Sequence, residues 1–444
     1  MCGKCSTCGG DCPNQASVYQ NGAVSTRTFA RPGSPEQASW SALFATAEWR
    51  ALWLAQAISL LGDQLARVAV AWLVFQDTGS ALLTATVYAV TYLPWVVGGP
   101  LLGSFADRYP RRPVMVTCSL LSAGLVALLA FPGLPLPLLC ALLFLVVLLE
   151  SPFQSARAAL LVDVLPDDRY VLASAAGNVT GQAAQLLGFA GGGVLVAAVG
   201  PRQALLVDAG TFLLSAVLVR FGSGARPAAA SGDAAAGGPV GWAGRLRAGL
   251  RVVFGTPRLR TLVLLSWLAT FTVVPEGLAA PYAAALGGGA ATLGLLLAAE
   301  PAGAVVGALL LTRLVPPARR IRLLVPLAVL TSAPLLAYAA HPPLPVVLGI
   351  LVLSGLGSAY QLVANAAFMQ AVPAESRGQA FGLAAAGLVA GQGLGLAAAG
   401  AVADVVSPAY AIAGAGLLAL LLLVPLAASA RALSVEPSGA DYSS

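Results

Sequence analysis

Two groups of residues have types and spacings able to do chemistry. The first is Cys2, Cys5, Cys8 and Cys12, a C-x2-C-x2-C-x3-C run whose four thiolates can hold Zn²⁺ or an Fe–S cluster. A tail whose thiols bind nothing specific is the other reading. The second group is five acids inside long apolar runs: Asp63, Glu150, Asp208, Glu276 and Glu300. A charge at the centre of a bilayer costs about 2.5 kcal/mol or more on insertion scales, so acids persist there mainly where they are used. A buried carboxylate with no cation beside it can take up and release a proton. Glu300 has no cation within a helical turn. Asp63 has Arg67 one turn on, so this pair can equally be a neutralised structural ion pair. Counted along their runs, Asp63, Glu150 and Glu300 fall nearest the midplane, whereas Asp208 and Glu276 lie nearer the outer ends, towards the headgroups.

The elements that must carry these acids follow from composition. Of 444 residues 58% are hydrophobic and 9% charged, against about 25% charged in a soluble domain, which excludes a soluble globular fold. A helix crossing about 30 Å of hydrocarbon needs roughly 20 apolar residues. Twelve such runs are present, near 50–75, 82–105, 114–132, 137–160, 171–198, 203–221, 259–280, 289–311, 323–340, 344–369, 379–403 and 409–430. The net charge of +6 would suit nucleic acid, but the bases flank the apolar runs. With the N-terminus in the cytoplasm, all 24 bases lie at the inner face except Arg202, in an outer turn, and Arg67 and Arg157, within spans.

A low-complexity linker divides the chain. The expected organisation is a tail over 1–45, a six-helix bundle over 46–221, a linker with an amphipathic helix over 222–258, a second bundle over 259–430 and a tail over 431–444. In the linker, Leu246, Leu250 and Val253 share a helical face opposite Arg247 and Arg251, as an interfacial helix or one packed on the bundle would have them. An internal repeat supports the six-plus-six division. At an offset of 207, Ser151, Gln154, Pro166 and Asp168 align with Ser358, Gln361, Pro373 and Glu375; at 210, GNVTGQ from Gly177 parallels GLVAGQ from Gly387. The expected fold is an all-α polytopic membrane protein of twelve transmembrane helices in two six-helix bundles.

The turn after the second run reads GSFADRYPRRP. Its Gly103, Asp107, Arg108, Arg111 and Arg112 resemble the loop signature G-x-x-x-D-R-x-G-R-R of the major facilitator superfamily, with Pro110 in place of the glycine. Most of the chain is similar to the branch containing enterobactin exporters and macrolide efflux pumps. Asp107 is positioned to meet the positive N-terminus of helix 11 near 378–381, and Arg111 to bridge Asp107 to Asp163. Such a clamp forms when the halves close on the inside and favours the outward-open state. Gly188 to Gly193 resembles an antiporter signature, with Phe189 where that signature has proline.

Tyr88, Tyr92, Trp95 and Phe153 can line a cavity for an amphiphile, as can Gln154 and Gln361, although ordinary packing accounts for the aromatics too. His341 reads as a solvated loop residue. The resemblance and the membrane acids together imply export of a small amphiphilic drug, antibiotic or siderophore by proton antiport, in a bacterial inner membrane with both termini cytoplasmic. The partners would be substrate, protons and lipid, without nucleic acid, acting on a monomer. No enzyme activity is expected, and no cofactor beyond a metal at the cysteines. The alternatives are a nutrient importer or uniporter of the same fold and a metal-responsive membrane sensor.

Overall fold

The computed structural model describes residues 40–95, 109–165, 167–224, 242–373 and 376–433. The cysteine run and Gly103, Asp107 and Arg108 lie outside them. Hydrocarbon offers no partner for backbone N–H and C=O groups, so each apolar run must satisfy its own by forming a helix. The described residues accordingly form helices and turns, without a strand.

The spans are α1 (Ala47–Thr78), α2 (Ala81–Trp95), α3 (Arg111–Leu129), α4 (Leu136–Val164), α5 (Asp167–Val199), α6 (Pro201–Gly222), α7 (Pro257–Gly277), α8 (Ala290–Leu314), α9 (Ile321–Ala340), α10 (Leu344–Ala371), α11 (Arg377–Val405) and α12 (Pro408–Leu433). Eleven of them are long and apolar enough to cross a bilayer; α2 is shorter over its described part. Leu187, Leu206, Leu309 and Leu421 are exposed on the outward faces, as side chains meeting lipid should be.

Turn chemistry sets the boundaries. Gly79 closes α1 in the left-handed conformation at φ 65° and donates its N–H to Phe75 O, and Ser80 caps α2 by accepting from Leu83 N–H at 3.1 Å. The seventh span differs from the continuous helix expected over 259–280. Beyond Trp267 it breaks into short turns that continue to Ala285, with Pro275 inside the broken stretch. Proline has no N–H to give and crowds the preceding turn, which accounts for the irregular backbone there.

The repeat is visible in packing. Trp53 Nε1 on α1 donates to Thr180 Oγ1 on α5 at 2.8 Å, and Trp267 Nε1 on α7 donates to Ala384 O on α11 at 2.9 Å. Between α1–α6 and α7–α12, two seams form, α5 against α8 and α2 against α11.

Among the described residues the buried core has four parts, of which a small one sets Tyr88 and Ala89 on α2 against Val273 on α7 and Leu396 on α11. One apolar cluster joins both sets of six helices, from Val68, Ala85 and Phe189 to Leu278, Leu293 and Ala403. It occupies the end away from most arginines. At the Arg-rich end the core divides: Leu43, Trp49, Met115 and Leu160 belong to one cluster, and Leu259, Leu262, Tyr360 and Phe368 to another. The helices therefore meet at the Arg-poor face and separate towards the Arg-rich face. The linker helix, Trp242–Gly255, packs on the Arg-rich end of α11, with Gly249 against Gln379 O and Val253 fully buried, while Leu250, Arg247 and Arg251 stay exposed.

Candidate functional site

A cavity of about 250 Å³ lies where the two sets of helices face each other. Its polar wall comes from seven spans: Arg67 on α1, Tyr92 on α2, Gln185 on α5, Glu276 on α7, Glu300 on α8, Gln361 on α10 and Gln392 on α11. Phe189, Leu296, Leu297 and Leu351 form apolar wall beside them. Such a mixture suits a ligand with both polar and apolar parts.

The two acids of this cavity sit at helix irregularities. Glu276 follows Pro275 in the broken stretch of α7, where its carboxylate accepts a hydrogen bond from Tyr88 Oη on α2. Glu300 immediately precedes Pro301 inside α8. Facing it is Ser358, at the interruption of α10 between Gly357 and Tyr360; its hydroxyl lies against Glu300 and also donates to Gly355 O at 2.6 Å. Proline in a helix removes one backbone hydrogen bond and bends the axis, so it delivers an acid into the space the bend creates.

A second, smaller pocket of about 60 Å³ lies within α1–α6 and gathers Asp63 on α1, Glu150 on α4 and Asp208 on α6. Asp208 is 1% exposed, which corrects its expected place near the headgroups. Its Oδ1 accepts from Thr211 Oγ1 at 3.0 Å, and its Oδ2 has no protein partner. Gly62 makes this approach possible, because a Cβ there would collide with Asp208 Oδ1. Glu276 is corrected likewise: it faces the cavity and Tyr88 rather than the headgroups.

Arg67 lines both the central cavity and the acidic pocket. It makes no ion pair with Asp63 within 4.0 Å, and it lines one cavity with Glu276 and the other with Asp63 and Glu150. The neutralised Asp63–Arg67 pair of the sequence reading is therefore not formed. One guanidinium instead stands in the wall between two groups of carboxylates.

Other expected residues divide. Tyr88, Tyr92 and Gln361 reach these cavities, whereas Trp95 is 51% exposed and lines none of them. Phe153 and Gln154 line a separate small pocket with Gln56, Asp63 and Glu150. Gln185, Gln392 and Ser358 were not among the expected site residues, yet a signal existed for two: Gln392 ends the repeated GLVAGQ, and Ser358 heads the other repeat. Arg111 pairs with Asp163 and donates to Ala159 O at 3.0 Å. Both partners lie on α4, beside α3, and the contact exists while the Arg-rich ends are apart. This limb of the expected clamp is thus internal to one set of helices and does not require closure. Arg112 Nε has no protein partner.

The glycines of Gly188 to Gly193 serve close helix contact. A Cβ on Gly193 would lie 2.6 Å from Gly294 Cα on α8, so the two backbones touch near the Arg-poor face. His341 ends α9 at φ 51° and sets its ring edge-on against Tyr410.

Comparison with known proteins agrees with this architecture. The family model described as Major Facilitator Superfamily matches residues 52–279 and 276–442. The multidrug efflux pump Tap of Mycolicibacterium fortuitum is 29% identical over 313 residues, 66% of this chain and 74% of that protein. Macrolide efflux protein A of Streptococcus pyogenes is 30% identical over 73 residues, 16% of this chain and 18% of that protein. Among solved structures, the nucleoside transporter NupG superposes with a TM-score of 0.69 at 12% identity, covering 88% of this chain and 100% of that one. A bacterial homologue of the iron transporter ferroportin, in an inward-facing state, superposes with a TM-score of 0.64 at 15% identity, covering 85% and 98%. At such identities the superpositions speak to fold alone. With its twelve apolar helices, its central cavity and a family match along nearly its whole length, the chain belongs to the major facilitator superfamily and is a multi-pass membrane transporter.

Proposed function

We propose that this transporter exports a small amphiphilic molecule in exchange for protons, in a bacterial inner membrane with both termini in the cytoplasm. The observation that carries the reading is the central cavity, where Glu276 and Glu300 stand among glutamines, a tyrosine and apolar side chains with Arg67 as the one cation in the wall. With the Arg-rich face in the cytoplasm, as the positive-inside rule directs, the open side of the structure is the inner one. Substrate would enter there and displace protons held by the cavity acids. After the halves rock, protons from outside would reload the acids and release the substrate. Asp63, Glu150 and Asp208 form a second proton-accepting group, with Arg67 in contact with both groups by charge. The similarity to Tap and to macrolide efflux protein A supports efflux as the direction.

Everted membrane vesicles test this directly. A fluorescent amphiphile should accumulate in wild-type vesicles with an acid interior and leak out when the pH gradient is collapsed. Glu300→Gln and Asp63→Asn, present in the membrane at normal levels, should lose that accumulation. Undiminished, gradient-dependent accumulation in both variants would remove these acids from the mechanism. Accumulation in right-side-out vesicles instead would make the protein an importer.

A further inference from the structure

The Arg-poor gate is shut along two unlike seams. Where α5 crosses α8, bare backbone meets bare backbone at Gly193 and Gly294. Where α2 crosses α11, Asp404 in the last turn of α11 accepts from Ser80 Oγ through Oδ2 and from Ala81 N–H through Oδ1, both at 2.7 Å. Cargo therefore reaches the central cavity of this state from the Arg-rich side, along that half of α5. Beside this path stands an arginine that nothing described so far employs. Arg157 lies within α4, well before its end at Val164, and a cation inside a span is costly unless it is used. Asp163, on the same helix, is taken by Arg111, and among the described residues no acid lies within 4.0 Å of Arg157. Its Nε is buried without a hydrogen-bond partner.

The face of α5 beside this guanidinium is open. A Cβ on Gly177 would lie 3.6 Å from Arg157 Nη2, and a Cβ on Gly181, one turn on, would meet nothing within 4 Å. One turn further comes Gln185, in the wall of the central cavity. Next to the glycines, Ser174, Asn178 and Gln182 make an exposed polar stripe at helical spacing. Polar side chains left exposed on a span face water rather than lipid. The second half is built otherwise at the matching place. Gly177 and Gly181 correspond to Gly387 and Gly391, where a Cβ would collide with the Trp267 ring and with Thr270. Ser174 and Asn178 correspond to Ala384 and Leu388, and Arg157 to Ala364. We propose that Arg157, with the open face of α5 at Gly177 and Gly181, is an entry site for an oxyanion, a carboxylate or sulfonate, carried by the amphiphilic cargo on its way to the central cavity. The guanidinium presents a planar fork of N–H donors that matches such a group, and the apolar stripe of α11 suits the rest of the molecule. The inference rests on the reading of export, with entry from the Arg-rich face, and adds the charge of the cargo.

The test uses the full chain in lipid nanodiscs and two fluorescent amphiphiles of one skeleton, dansyl-aminohexanoate and its uncharged primary amide. Signal from protein-free nanodiscs is subtracted. Wild type should bind the carboxylate about tenfold more tightly than the amide, the order expected for hydrogen bonds to a charged group. Arg157→Gln should bring the carboxylate down to the level of the amide and leave the Kd of the amide unchanged, which also reports that the variant is folded. Arg157→Lys should keep part of the preference. Gly181→Leu, which fills the open space without altering charge, should weaken carboxylate binding several-fold. Equal binding of the two probes by wild type, or a preference that survives Arg157→Gln, would overturn the site. Displacement of the carboxylate probe by equimolar inorganic phosphate would make it a site for a free anion rather than for cargo and would also overturn the assignment. Loss of gradient-driven accumulation in vesicles, with the charge preference intact, would count against export and not against the site.

Discussion

At the scale of single residues, the site depends on how carboxylates are placed beside few cations. Tyr88 Oη is a donor to Glu276, so Tyr88→Phe should leave that acid without this bond while keeping the ring that packs on α7. Substrate transport should fall about tenfold, the worth of one hydrogen bond to a charged group, with normal amounts of protein in the membrane. Gly62 has a stability role. Gly62→Ala would push a methyl group into Asp208 and Thr211, and the purified variant should melt several degrees below wild type in a thermal scan. The sequence made the acids visible as charges in apolar runs. It did not show that Asp208 turns into the protein or that Glu276 meets Tyr88, because position along a run measures depth and not direction. Asp404 was invisible for another reason: an acid at the end of a span resembles any surface acid until its partner, 324 residues away in the chain, is known.

Among elements, the spans were legible because the bilayer forces apolar length and helical closure together, and where both limits are described the expected ones lie within a few residues of the observed ones; the expected end of the second span, near 105, lies outside the described residues. The break in α7 was not legible, since Pro275 in an apolar run is compatible with a kinked but continuous helix. That break brings Glu276 to the cavity. Pro275→Ala should let α7 regularise and move the acid, lowering transport more than it lowers stability, a contrast that uptake assays and thermal scans on the same preparations would expose. The α5–α8 crossing makes a second prediction. A leucine at Gly193 has no room against Gly294, so Gly193→Leu should hold the Arg-poor gate open, seen as a lasting long distance between labels across that face.

In the whole molecule, the core divides in two towards the Arg-rich face, so the cavity should be reached from that side. A cysteine at Gln392 should react with a membrane-impermeant thiol reagent in everted vesicles and be protected several-fold in right-side-out ones. The repeat foretold this geometry in part. It paired α4 and α5 with α10 and α11, and two of the cavity's residues, Gln361 and Gln392, lie in the repeated segments. Which seam carries the Asp404 contact was not foretold, because that difference is where the two halves depart from each other.

The unlike seams also bear on the order of events. Contact between bare backbones is van der Waals attraction, lost once the surfaces part by about an ångström. The Asp404 contact is between a charge and a helix dipole and acts over a longer range. When the Arg-poor face opens, separation should start at α5–α8 while α2–α11 still holds, so the molecule swings like a door hung on one edge. Labels on that edge should separate earlier than those across α2 and α11 in time-resolved measurements.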